Sequence, residues 1–172
     1  MSALLRRFLI VTGLTFPTCL AAAAAPAASD AAAQGLIAEV IRLNNQYPFG
    51  SLKENKFFDV LSTPLMHRYF TSGYCHSWDR AMTFNKQMPV WDADPINGEQ
   101  MVGRLDLKSV SIEHGDTATA TVLRISGQGD KPATQTIVFK LVRENGQLKI
   151  DNIRRGQGGS QTWYRTYLDR VK

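Results

Sequence analysis

The sequence predicts an α+β fold: N-terminal helices packed in a curved four-stranded antiparallel meander, closed by a short C-terminal helix. Three observations carry it. Apolar residues recur at helical spacing through residues 31–46 and again through 64–70. From Leu105 to Ile153 the pattern becomes alternating and β-branched, punctuated by His114-Gly115-Asp116 and Asn145-Gly146. Trp163, Tyr164, Tyr167, Leu168 and Val171 then return at helical spacing.

The chain opens with Arg6 and Arg7, an apolar run from Phe8 to Leu20, and alanines from Ala21 to Ala28. Positive, then apolar, then small is the order of a secretory signal. Thr12, Gly13, Thr15 and Pro17 interrupt the run, so it is too short and polar for a stable membrane span of about 20 residues. Small residues place the cut between Ala23 and Ala28, and residues 1–27 are read as a cleaved signal. Phe16-Pro17-Thr18 lacks the small residue that precedes a lipidated cysteine, so soluble export to the periplasm or medium is favoured over lipidation at Cys19.

Residues 28–172 form one α+β domain of ordinary size, too small to divide comfortably into two. Cys19 leaves with the signal and Cys75 stays without an internal partner, which excludes a disulfide framework. The whole chain carries +5; without Arg6 and Arg7, 18 basic residues against 15 acidic give +3. That excess is dispersed, although Arg154-Arg155, Arg165, Arg170 and Lys172 enrich the C-terminal end. Nucleic-acid binding requires a denser basic stripe with interleaved aromatics, and a solvated basic rim accounts for this one.

Helix one runs from Ala31 to Gln46, with Leu36, Ile37, Val40, Ile41, Leu43 and Tyr47 near one face, Asp30 as N-cap and Pro48-Phe49-Gly50 as terminator. Lys53–Leu61 and the stretch from Pro64 to Phe70 are read as two short helices, the second capped by Thr63 with proline in its first position. A third helical stretch spans Cys75–Lys86. Residues 88–103, with Pro89, Asp92, Asp94, Pro95, Asn97 and Gly98, have turn chemistry.

The first strand carries Leu105 and Leu107, then Val110 and Ile112 one residue out of phase, which predicts a bulge near Lys108-Ser109. Thr117–Ile125 and Ala133–Arg143 follow as strands two and three. Asn145-Gly146 is a hairpin turn and Leu148–Ile153 is strand four. Gly156–Gly159 is read as a flexible break before the last helix.

The Asp92–Gln100 segment and the Leu148-Lys149-Ile150-Asp151-Asn152-Ile153 ending, in this element order, resemble the exported bacterial family catalogued as domain of unknown function 3828. The likeness covers Leu36 to the C-terminus and departs at Leu148, where the family usually has tryptophan. It implies a nuclear transport factor 2-like (cystatin-like) cone, in which a bent sheet wraps the helices. It brings no chemistry with it.

No residue pattern compels catalysis. Asp92, Asp94, Asn97 and Glu99 fail calcium-loop spacing, because Ile96 occupies the fifth position and glycine comes seventh. Local turn capping explains them better. His67, His76 and His114 lack mutual zinc spacing. Cys75 and His76 point about 100° apart on a helix, so a buried inert thiol is the better reading. No phosphate loop or nucleophile elbow is present. No metal or cofactor is expected.

If the cone is right, Tyr47, His67, Tyr74, Trp78, Trp91, Asp92 and Asp94 are the expected ligand-binding residues of its mouth, although core packing alone explains the aromatics, Tyr69 included. The expected function is a non-enzymatic exported protein that binds a protein or envelope component, with an immunity protein against a periplasm-acting toxin as one form. An unpaired sheet edge is the expected docking strand. Two alternatives stand beside it: an enzyme using Asp92 or Asp94 as a burial-raised general base, and a purely structural envelope protein. The sequence names neither the partner nor the oligomeric state.

Overall fold

The computed structural model describes residues 30–47, 57–59, 61–84, 95–96, 103–126, 131–156 and 163–170. Its elements are α1 (Asp30–Gln46), α2 (Pro64–Tyr69), α3 (Ser72–Phe84), β1 (Arg104–Glu113), β2 (Thr117–Ile125), β3 (Ala133–Glu144), β4 (Gln147–Gly156) and α4 (Tyr164–Leu168). The strands pair antiparallel in the order β1-β2-β3-β4, an open meander. None of the described helices is long and apolar enough to cross a membrane. The predicted signal lies outside the described residues.

Local chemistry explains the boundaries. Thr63 caps α2 by accepting the Met66 N–H at 3.0 Å, and Pro64 stands at the first turn, where its missing donor costs nothing. α3 begins three residues before the predicted Cys75 because Thr71 serves as its cap: the Thr71 hydroxyl accepts the Tyr74 N–H at 3.1 Å. The two hairpin turns use the left-handed region, His114 and Gly115 at φ 54° and 74°, and Asn145 and Gly146 at φ 52° and 79°. Asn-Gly suits that geometry best, since asparagine tolerates it and glycine has no Cβ to clash.

Two bulges shape the outer strands. In β1, Leu107 pairs with Val122 and Ser109 with Thr121, leaving Lys108 as the extra residue. In β4, Ile150 pairs with Leu141 and Asn152 with Lys140, leaving Asp151 extra. Each bulge resets the alternation by one residue. Leu105, Leu107, Val110 and Ile112 therefore all meet the core, as do Leu148, Ile150 and Ile153.

The inner face of the sheet packs on α1 through Ala33, Ile37, Val40 and Ile41. Beside it Phe57, Phe58, Phe70, Tyr74 and Trp78 are fully buried, their rings meeting at centroid distances of 4.7 to 5.8 Å in tilted or edge-on pairs. Each such side chain contributes on the order of 2 kcal/mol of transfer free energy.

Two expectations change here. The described part of Lys53–Leu61 is not helical: Phe57–Asp59 and Leu61 are bends and irregular backbone. Its two phenylalanines are adjacent, and both rings enter the core from this irregular backbone. The strap is tied instead by the Trp78 indole N–H donating to the Asp59 carbonyl at 2.8 Å and by the Thr63 hydroxyl donating to the Phe57 carbonyl at 3.1 Å.

The expected unpaired sheet edge is partly occupied on both sides. On β1, the Asn45 carboxamide donates to the Leu105 carbonyl at 2.8 Å and accepts the Leu105 N–H at 2.9 Å, while Gln34 donates to the Val110 carbonyl at 3.3 Å. On β4, the Thr71 N–H donates to the Ile150 carbonyl at 2.9 Å. Covered edges resist strand addition. The strand β4 runs on to Gly156, the first residue of the predicted break, whose other residues lie outside the described ones.

Candidate functional site

The polar side of α1 carries Glu39, Arg42 and Gln46 at helical spacing, followed by Tyr47. Arg42 donates through Nε to Glu39 Oε2 at 2.7 Å, through Nη2 to Oε1 at 2.8 Å, and through Nη1 to Gln46 Oε1 at 2.7 Å. Gln46 Nε2 in turn donates to the Tyr47 hydroxyl at 2.8 Å. The result is one connected ladder along the helix. Arg42's guanidinium beside Glu39 holds that carboxyl below its ordinary range, assisted by the Tyr69 hydroxyl and the positive field of Arg68. Arg68 itself lies 5.9 Å from the Tyr69 ring centroid.

Two depressions flank this ladder. The larger, about 600 Å³, lies between α1 and α2 and is lined by Arg42, Leu43, Gln46, Tyr47, Pro64, Leu65 and Arg68. The smaller, about 340 Å³, lies between α1 and β1 against Ala38, Ile41, Asn45 and Leu105–Leu107, and shares Arg42. The larger has an apolar floor, guanidinium walls and a phenol at one end. Its described lining joins apolar, guanidinium and phenol groups, the composition of a binding surface.

A second polar group joins the strap to α3. Asp79 accepts the Ser62 N–H at 2.5 Å and the Ser62 hydroxyl at 2.7 Å, and Ser62 Oγ lies 2.9 Å from His67 Nε2. The three residues of a hydrolase are present in the wrong order. The serine hydroxyl donates to Asp79, so in this arrangement its proton points away from His67 and the serine–histidine contact is not that of a nucleophile donating to its base.

A third group forms around the β4 bulge. Asp151 Oδ1 accepts from the Thr71 hydroxyl at 2.8 Å and from Arg165 Nη1 at 2.5 Å. Asp169 accepts from Ser77 at 2.6 Å and from Arg80 at 2.7 Å, which pins the C-terminal end of α4 to α3. Gly73 leaves room for this guanidinium: a Cβ there would stand 2.7 Å from Arg165 Nη2. The purpose of the cluster is to dock α4, and it presents no open site.

Of the residues expected to bind ligand, Tyr47 lines the α1–α2 groove and His67 is exposed but belongs to the Ser62–Asp79 group. Tyr74 and Trp78 have no exposed surface, being held in the aromatic core, so they line no mouth. Trp91, Asp92 and Asp94 lie outside the described residues. Cys75 is buried, and desolvation pushes its thiol up to about 12, with the Asp79 carboxylate adding to the shift; it is a neutral thiol at physiological pH. Among the described residues no cluster of three or more His, Cys, Asp or Glu could hold a metal.

Sequence reasoning missed Glu39, Arg42, Leu65 and Arg68. The signal was available in Glu39-x-x-Arg42-x-x-x-Gln46, a spacing that joins side chains on one helical face. The apolar stripe of α1 sets the helical period, and a polar row on the other face adds nothing to that pattern. Comparisons with protein-family models, with curated proteins and with solved structures return no match for this chain.

Proposed function

We propose that this chain is an exported, non-enzymatic binding protein that engages a protein or envelope component of the periplasm through the α1–α2 groove. The observation that carries the reading is the groove's composition: Leu43, Pro64 and Leu65 as floor, Arg42 and Arg68 as walls and Tyr47 at the end. Aromatic and arginine side chains around an apolar centre are what partner surfaces favour. Export rests on the Arg6-Arg7, apolar, alanine-rich N-terminus. An immunity protein that occupies a toxin delivered into the periplasm is the specific form of this reading, and the likeness to domain of unknown function 3828 supports an exported cone-like module.

The test is affinity capture from periplasmic extract with the wild-type chain and with Tyr47→Ala/Leu65→Ala. One recurrent partner lost on the double substitution, with the melting temperature unchanged, is the expected result. Absence of any recurrent partner, or a partner indifferent to both positions, would falsify the groove as the binding surface.

A further inference from the structure

We infer that the α1–α2 groove recognises an acidic, apolar-flanked segment of its protein partner, and that Glu39 is an internal competitor for the same guanidinium. This rests on the groove being the partner surface, and adds the chemistry of what it takes.

Three observations converge. The described lining of the groove holds two guanidinium groups and no carboxylate. Arg42, 57 % exposed, already grips a carboxylate through two parallel N–H bonds, the fork geometry in which arginine recognises acids. Arg68, 5.9 Å from the Tyr69 ring centroid, brings a second guanidinium to the same groove from α2, so positive charge meets the groove from both helices. Glu39 sits on the rim, one helical turn before Arg42. An incoming side-chain carboxylate has the same claim on Arg42, and Arg68 offers a second charge that Glu39 only partly offsets.

The occupant is a peptide segment because of the floor. Leu43, Pro64 and Leu65 form an apolar strip between the arginines. A bare inorganic anion leaves that strip in water, whereas a chain with acidic and aliphatic side chains covers it while pairing both walls.

Fluorescence anisotropy with two labelled peptides tests this on the whole exported chain: acetylated Leu-Glu-Leu-Glu-Leu-Glu, and the same peptide with glutamine for each glutamate. The acidic peptide is expected to bind roughly tenfold tighter than its neutral twin, and to lose that advantage in about 0.5 M NaCl. Arg68→Ala should weaken it by roughly tenfold, and Glu39→Gln should tighten it two- to fivefold, roughly the value of one surface ion pair. Saturable binding of neither peptide, equal affinity for both, or a Glu39→Gln chain that binds no tighter overturns the inference. Partner capture that depends on Tyr47 and Leu65 but survives Arg42→Ala and Arg68→Ala would sink the acidic chemistry while leaving the groove as the partner surface.

Discussion

The two edges of the sheet are covered by different chemistry. On the β1 side, α1 reaches across with neutral carboxamides, Asn45 taking both backbone groups of Leu105 and Gln34 the carbonyl of Val110. On the β4 side the cover is ionic: Thr71 and Arg165 converge on the bulged Asp151, Glu144 accepts the Ser72 N–H at 3.0 Å, and Lys149 lies 3.2 Å from Glu144 while donating to the His67 carbonyl. The β1 clip is a local contact between one helix and one strand. By contrast, the β4-side clasp gathers α2, α3 and α4 onto the β3–β4 hairpin, so its loss is felt through three helices. A neutral clip should ignore acid and salt; an ionic clasp should not.

The largest effect is expected where the clasp has fewest substitutes. Thr71 is nearly fully buried, and its one hydroxyl both caps α3 and donates to Asp151. Thr71→Val keeps the shape and removes both bonds. The expected loss is about 2 kcal/mol, seen as a drop in melting temperature of roughly 4–8 °C, and as earlier hydrogen exchange in α3. A change below 0.5 kcal/mol would mean that the clasp is decorative.

On the other edge, neighbouring asparagines make a controlled pair. Asn45 has both polar ends engaged, whereas Asn44 is fully buried with neither its nitrogen nor its oxygen hydrogen-bonded. Asn45→Ala should cost about 1–2 kcal/mol for two bonds to Leu105. Asn44→Leu, nearly the same size, should instead gain about 1 kcal/mol by removing an unpaired buried amide. Chemical denaturation of the two variants decides it, and opposite signs are the outcome that sustains the contrast.

What could be read from the sequence follows the same division between local and distant causes. The β1 bulge was legible because Leu107 and Val110 break the alternation within one strand, and the Asn145-Gly146 turn because its backbone requirement is local. The second bulge was not: Ile150 and Ile153 are three apart, but Asp151 is held by Thr71, 80 positions earlier, and by Arg165 on the far side of the described strand. The Phe57-Phe58 strap looked helical because hydrophobic clustering was its only visible signal, while its ties to Trp78 and Thr63 are tertiary. Asn44 stands on the apolar stripe of α1, between Val40 and Ile41 on the preceding turn and the end of the helix, where a single polar residue leaves the period unchanged. For the binding surface, Tyr47 was legible as an aromatic at a helix end; Arg42 and Arg68 became partners only when α2 was placed beside α1.

The smallest effect separates the edges by acid. Glu144 is held below its ordinary value of 4.5 first by the Ser72 N–H and then by Lys149. A carboxyl whose folded value is lowered contributes stability that is present in full above its unfolded value and lost as pH falls through the folded one. Lowering the pH from 6 towards 3 should therefore loosen the N-terminal turn of α3 on the end of β3, with hydrogen exchange at Ser72 and Thr71 rising before that at Leu105. The clip at Leu105 contains no titratable group, so its protection should follow global stability alone. Glu144→Gln should remove the pH-dependent part of the difference while keeping an acceptor for Ser72. If Leu105 loosened first, or both edges moved together in the Glu144→Gln chain and the wild type alike, the ionic character assigned to the β4 clasp would be wrong.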